Sequence, residues 1–286
     1  MKTRSASSLS RIELVLDYID NSLHRPLSLD ELATKSCWSR WQLQRVFQEC
    51  TQQSVGCYVR EQKLAKAAQL VLSNQHRMID IALMLGFSSE MAFSRAFKSY
   101  FQIGPKQYQK RGVSHGIKKP LIKNPFDTDT FDALFVQVRI DYLPDTNIFG
   151  VEREINGLVS DNPDYMKTVP QAWQSFEQTY QYKNPTIEQF IGVITESKAD
   201  PVGSLTYLAG SQQRFEGADC VHLPAQQYAV LSFNGPINQF AKSVEWFVFS
   251  WLPQSEYKLA ESSELEVYAK NQQKQTLQAE YWLPVL

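Results

Sequence analysis

The sequence predicts a multi-domain chain: an all-α domain with two helix-turn-helix motifs joined by a long helix, then an α+β domain with duplicated strand-helix-strand-strand units. Three observations carry this. Apolar residues recur at helical spacing through residues 11–110, where one pattern occurs twice about fifty residues apart. Short strand-like segments alternate with two longer helical stretches through residues 131–286. Charge divides the chain in the same way: residues 1–123 hold 19 Lys and Arg against 9 Asp and Glu, a net of +10, whereas the remainder holds 10 against 21, a net of −11. A basic part followed by an acidic part points to a polyanion as partner of the first only, and charge by itself does not separate nucleic acid from a membrane surface.

Composition narrows the class. Hydrophobic residues at 43% and charged residues at 21% are those of an ordinary soluble protein. Lys2 and Arg4 have no apolar run behind them, and no stretch reaches the length of a membrane-spanning helix, so a cytoplasmic protein without membrane contact is expected. Cys37, Cys50, Cys57 and Cys220 form no CxxC pair, and His24, His76, His115 and His222 form no ligand-spaced pair, so free thiols and no metal or cofactor are expected.

In the first domain (residues 1–112), Ile12, Val15, Leu16 and Ile19 form an apolar helical stripe. After Pro26, Ser28 followed by Glu31 is a capping-box signature for a short second helix. Ser39 caps a third, on which Leu43, Val46 and Phe47 mark one face and Trp41, Gln44, Arg45 and Gln48 the other. Two short helices across a tight turn, with polar and aromatic groups outside the second, describe a helix-turn-helix. The pattern repeats from Asp80: Leu32-Ala33 corresponds to Ile81-Ala82, Trp38 to Phe87, Leu43 to Phe93, Arg45 to Arg95 and Phe47 to Phe97. The first helices are offset by 49 residues and the second by 50, so the second turn carries one extra residue, with Gly86 suited to positive φ. Residues 55–72, rich in Ala, Leu, Lys and Gln, predict one connecting helix about 27 Å long. That is the right order to set two recognition helices into successive major-groove segments about 34 Å apart, so one chain could bind DNA as a monomer.

The run Gly86-Phe87, Phe93-x-Arg95-x-Phe97-Lys98-x-x-Phe101-x-x-x-Pro105-x-x-Tyr108 resembles the signature of the AraC/XylS family of transcription regulators, and Trp41-x-Leu43-Gln44-Arg45-x-Phe47 is similar to that family's first recognition helix. The likeness covers residues 12–111. It implies double-stranded DNA as partner, with RNA polymerase beside it, and Trp41, Gln44 and Arg45 reading bases and adjacent backbone. Arg is the commonest reader of guanine because its two donors match O6 and N7. Ser39, Arg40 and Lys98 are better placed as phosphate contacts. In the second motif Ser89 is followed by Glu90 and Met91 where relatives tend to carry Gln-Gln, so this helix either reads different bases or holds backbone through Arg95 and Lys98. For Arg95 an intramolecular ion pair is the alternative. Phe93, Phe97, Phe101 and Tyr108 read as core.

Residues 113–130, with Pro120, Pro125 and a lysine cluster but no periodicity, read as a linker; Lys118, Lys119 and Lys123 read as a solvated basic run with phosphate contact as the alternative. In the second domain (residues 131–286) strands are expected at 133–143, 148–155, 190–196, 205–208, 226–233, 264–269 and 277–285, and helices at 164–180 and 237–249, with a cleft between the two copies. Tyr228-x-Val230-x-x-x-x-Gly235-Pro236, Trp251-Leu252-Pro253-x-Ser255-x-Tyr257, Glu266-x-Tyr268 and Glu280-x-Trp282-x-Pro284-Val285 resemble the second half of a GyrI-like effector-binding domain, which some AraC/XylS regulators carry behind the same DNA-binding unit. Glu256 departs from the Gly that relatives often have there. The resemblance implies a small amphipathic, often cationic, effector. On the last strand Leu277, Ala279, Tyr281, Leu283 and Val285 share one face and Glu280 and Trp282 the other. An acid beside an aromatic, with Tyr268, Glu266, Tyr228 or Trp246 nearby, suits a cation; a solvent-facing row of acids is the alternative, and Trp246 and Phe249 also read as core. Some GyrI-like domains hydrolyse electrophiles with an acid and a Tyr, which would make Glu280 with Tyr268 or Tyr228 a hydrolase pair. A sequestrant without regulatory output is a third reading. No nucleophile–base pair is visible locally, so a non-enzymatic regulator is expected.

Overall fold

The computed structural model describes residues 6–124, 135–157, 160, 162–180, 187, 189–196, 205–269 and 277–286. The chain forms two compact units that divide between Asp141 and Tyr142.

The first unit begins with α1 (Ala6–Asn21), whose Ile12, Val15, Leu16 and Ile19 are all buried, as their spacing predicts. Next come α2 (Leu29–Ser36) and α3 (Arg40–Thr51). Their buried faces, Leu32, Ala33, Leu43 and Phe47, close over α1 together with Tyr58. Ser28 caps α2 by accepting from the Glu31 amide at 3.2 Å, but the reciprocal half of the expected box is missing. The Glu31 carboxylate turns to Arg25 and the Tyr18 hydroxyl instead, because an ion pair outcompetes a backbone amide for it. The complete capping box stands on α3, between Ser39 and Gln42. Helix α4 (Val55–Ser73) spans 19 residues, about 28 Å. It leads to α5 (Met78–Met84), α6 (Glu90–Phe101) and α7 (Pro105–Arg111). Phe93, Phe97, Phe101 and Tyr108 stack in sequence with ring centroids 4.5–5.5 Å apart, so these four are core.

The helical unit does not stop at residue 112. Strand β1 (Ile117–Lys118) pairs with β4 (Val138–Leu143) in the register Ile117 to Ile140, and β2 (Ile122–Lys123) pairs with β3 (Phe135–Val136). This strap lies along α4: Lys118 Nζ meets Glu61 at 2.7 Å, Gln62 donates to the Lys119 carbonyl at 3.4 Å, and the Leu121 amide donates to the Tyr58 hydroxyl at 3.3 Å. Lys123 pairs with Glu13 at 3.4 Å. Lys118 and Lys123 are therefore ion-paired, Lys118 half-buried against α4 and Lys123 exposed to solvent beside Glu13. Two-residue strands held through their backbone leave no hydrophobic period, which is why residues 113–124 look like linker in sequence. Residues 125–130 of that segment lie outside the described residues.

In the second unit the strands are β5 (Thr146–Ile155), β6 (Gln189–Glu196), β7 (Leu205–Ser211), β8 (Asp219–Leu223), β9 (Gln226–Gly235), β10 (Glu264–Ala269) and β11 (Leu277–Pro284). They lie in the order β9-β11-β10-β6-β7-β5-β8. Helix α8 (Tyr165–Thr179) follows β5, and α9 (Ile237–Trp246) follows β9. Helix α9 runs on through a π turn at Phe247–Trp251, beyond the expected end at 249. The strand-helix-strand-strand duplication is thus real. Read outward from the centre, one copy runs β6, β7, β5 and the other β10, β11, β9, with β6 and β10 antiparallel at the junction. Strand β8 lacks a clean alternation (Cys220, Val221 and His222 all keep solvent contact) and escapes a reading of the sequence.

Candidate nucleic-acid interface and small-molecule cleft

Both helix-turn-helix turns use a left-handed residue. In the first, Cys37 takes φ 54° and the Trp38 amide returns to the Ala33 carbonyl at 3.0 Å. In the second, Gly86 takes φ 68° and the Phe87 amide returns to Ala82 at 2.9 Å. Cys37 and Gly86, and Trp38 and Phe87, are therefore equivalent, and Ser88 is the extra residue before the cap of α6. Cysteine serves at the first turn, but a Cβ on Gly86 would lie 2.7 Å from the Arg25 carbonyl carbon and 2.8 Å from Pro26 N, so only glycine fits the second.

On α3, Leu43 and Phe47 are buried while Trp41 (64% exposed), Gln44 and Arg45 face solvent. The Arg45 guanidinium lies 4.6 Å from the Trp41 ring centroid, with Glu49 3.9 Å away. That stack holds two long side chains side by side on the outer face, which lessens the entropy lost on contact with a partner. Arg40, also exposed, pairs with Asp30 at 3.2 Å. The Ser39 and Ser89 oxygens accept from the amides of Gln42 and Ala92, so both act as N-caps and keep only their hydroxyl protons to offer a phosphate. On α6, Glu90, Met91, Arg95 and Lys98 are exposed. Arg95 forms no ion pair among the described residues. Glu90 sits in the first turn, where a carboxylate complements the positive end of the helix dipole, a local reason for an acid at this position.

The second unit gathers its polar groups inside. Helix α8 lies over β5 and β7 and α9 over β9 and β11, so the central strands β6 and β10 form the floor between the two helices. On that floor Glu266 Oε2 accepts from the Tyr268 hydroxyl at 2.6 Å and the Tyr207 hydroxyl at 2.7 Å. Tyr207 in turn accepts from Trp173 Nε1 of α8 at 2.9 Å. Trp173 stands edge-on to Tyr268 at 5.4 Å, and Phe240 of α9 reaches the same ring from the other side at 6.5 Å. Two residues along β10, on the same face, Glu264 accepts from the Tyr281 hydroxyl. Burial pushes both carboxyls above the usual range, an effect only partly offset by their phenol donors, and neither carboxylate has a cationic partner among the described residues. Tyr207, Tyr268 and Tyr281 are raised by the same burial and by the acids beside them. Gly192, paired with Glu266 across the β6–β10 junction, makes this possible, because a Cβ there would overlap the Tyr207 hydroxyl.

A family model described as integron-associated effector binding protein matches residues 139–285, about half of the chain, and a helix-turn-helix domain model matches residues 32–111. The multiple antibiotic resistance protein MarA of Escherichia coli (strain K12) is 34% identical over 109 residues, 38% of this chain and 85% of that protein. The chain belongs to the AraC/XylS family and carries a GyrI-like effector-binding domain. Another member, the transcriptional regulator Rob of Salmonella typhimurium (strain LT2), is 32% identical over 165 residues, 57% of this chain; the match spans 55% of that relative's length. Among solved structures, an integron cassette protein from the mobile metagenome of Vibrio cholerae aligns with a TM-score of 0.41 at 16% identity, over 52% of this chain and 95% of that one.

In this AraC/XylS member the six expected cleft residues do not form one group. Glu266 and Tyr268 face the helices. Glu280, Trp282 and Tyr228 face the opposite side of the sheet, because Val267 pairs with Glu280 and Leu265 with Trp282, which turns the alternate residues of β10 away from them. There Trp282 Nε1 and the Ser232 hydroxyl donate to Glu280 at 3.0 and 3.3 Å. Tyr228 is fully buried with its hydroxyl on the Ser263 carbonyl at 3.2 Å. Glu280 therefore has neither Tyr268 nor a free Tyr228 hydroxyl beside it, which removes the expected hydrolase pair. Trp246 ends α9 half-buried, and Phe249 is exposed rather than core. Trp173 and Tyr207 complete the cleft and are absent from the sequence reading; the signal for Tyr207 is its place in a predicted strand of the first copy, which gains meaning only once β7 is known to lie beside β6.

Proposed function

We propose that the chain is a cytoplasmic, ligand-responsive transcription regulator that binds double-stranded DNA as a monomer through α3 and α6 and acts together with RNA polymerase. The observation that carries this is the outward face of α3, with Trp41, Gln44 and Arg45 exposed over a buried Leu43 and Phe47, repeated by Met91, Arg95 and Lys98 on α6 in a unit with net positive charge. In this reading Arg45 reads a base edge with Trp41 and Gln44 beside it. Ser39, Arg40, Ser89 and Lys98 hold phosphates, and Glu90, Met91 and Arg95 meet the second groove. No helix among the described residues is long and apolar enough to cross a membrane. Electrophoretic titration of the full chain against its promoter DNA at physiological salt tests the reading: a specific complex well above non-specific background is expected, and its absence ends the claim.

The effector is an amphipathic cation held by Glu266 between Trp173, Tyr207 and Tyr268. A half-buried carboxylate with phenol donors and no cation among the described residues, beside aromatic rings, supports this. Titration calorimetry with benzyltrimethylammonium is expected to give binding that Glu266→Gln abolishes and Glu280→Gln leaves intact; equal loss in both variants contradicts the assignment.

A further inference from the structure

The two helix-turn-helix motifs are joined by more than α4. Lys63, midway along that helix and 8% exposed, reaches across with its ammonium and donates to the carbonyl of Arg25 and to the carbonyl of Leu85, each at 2.8 Å. Arg25 belongs to the loop between α1 and α2, on the first motif's side; its carbonyl precedes Pro26 and is not engaged by a helix. Leu85 caps α5, inside the turn of the second motif, where carbonyls lack helical donors. Beside these bonds Gly86 touches the Arg25–Pro26 backbone so closely that a Cβ would lie 2.7–2.9 Å from it. The motifs therefore meet backbone to backbone, with no side chain between them to yield, and a buried charge fastens the contact. Hydrogen bonds from a charged donor are the stronger kind, and a buried ammonium deprived of them is costly.

Resting on the DNA-binding reading above, we infer that Lys63 is a positioning residue: it clasps the two motifs at one separation and so dictates the spacing between the two DNA blocks that the chain accepts. Val55 and Tyr58 pack α4 into the first motif's core, so without the clasp the second motif is tied to the first through α4 and the turn at Asn74–Arg77 that follows it. One base pair of extra spacing moves the second target by about 3.4 Å along the duplex, a displacement that a hinge absorbs and a closed clasp does not.

The test uses the full chain and duplexes that the wild type selects from a random pool. Wild type is expected to enrich two base blocks at one spacing and to lose about tenfold or more in affinity when one base pair is inserted or removed between them. Lys63→Met is expected to bind the parent duplex about tenfold more weakly. Its penalty for the altered spacing shrinks toward none while the base preferences within each block persist, and Lys63→Arg restores the penalty. A K63M chain that keeps the wild-type spacing penalty overturns the inference even if every affinity falls, because uniform loss marks a stability role only. If K63M lacks helical circular dichroism, Lys63→Gln, which retains the stem and one donor, decides by the same ratio. If wild type selects no two-block duplex at all, the DNA-binding reading fails and the inference falls with it.

Discussion

The two units display their candidate site residues in opposite ways. The helical unit sets Trp41, Gln44, Arg45, Arg95 and Lys98 in solvent and buries only what holds them, whereas the sheet unit holds a half-buried Glu266 on the buried Tyr207 beside Trp173 of α8. A groove of DNA is rigid and charged, so its reader gains from long exposed side chains already positioned by Trp41–Arg45 stacking and by capped helices. A small cation has to be stripped of water before a single carboxylate can hold it well, so its reader gains from burial. Exposure singles out candidate groups in the first unit but not in the second: Glu266 and Glu280 are both half-buried, and only the strand register sets them on opposite faces of the sheet.

The sharpest way to break the comparison is Gly86→Val. Left-handed φ and the contact with Arg25 and Pro26 both forbid a β-branched side chain, so the helical unit is expected to lose about 3 kcal/mol or more in urea unfolding and its DNA complex with it. Cation binding in the sheet unit should persist; loss of both would show that the two activities share one folding unit. Next, Glu266→Gln should weaken benzyltrimethylammonium by tenfold or more while leaving DNA affinity without effector unchanged. The pH dependence sharpens this. Burial raises the folded-state pKa of Glu266, so its neutral form is the favoured one at low pH, and affinity for a permanent cation should grow as pH rises through that raised value. A flat profile in wild type would place the charge elsewhere. Third, Arg45→Ala should cost about 1–3 kcal/mol and relax preference at one base, while Lys98→Ala weakens all sequences alike and lowers the salt slope, as competition assays at two salt concentrations would reveal.

The smallest effect expected is at Asp20, half-buried beside Tyr58 and pushed up to about 6, chiefly by desolvation. Its folded pKa exceeds the unfolded one, so the stability of the protonated form is whole below about 4 and is lost as pH rises through 6. Asp20→Asn should raise the unfolding midpoint of the helical unit by a few degrees at pH 8 and by nothing at pH 3.5. A gain of equal size at both pH values would mean that packing, and not charge, accounts for it.

The sequence by itself determined the elements and their repetition. Helices show because burial of one face imposes a 3.6-residue period, as at Ile12, Val15, Leu16 and Ile19, and because Ser39 and Ser89 cap locally; strands show where alternation is long, as in Leu277–Pro284. These are signals within a few residues of one another. Only the tertiary structure decided which face of the sheet the helices cover, that Trp173, Tyr207 and Glu266 converge from positions 34 and 59 residues apart, that residues 117–124 strap α4, and that Lys63 fastens two motifs. Alternation separates the two faces of a strand but does not say which one a helix will cover, and a lysine in an Ala-rich helix reads as solvated until another segment's carbonyls are brought to it. Register between distant strands and the docking of distant loops set those contacts, and neither leaves a period in the chain.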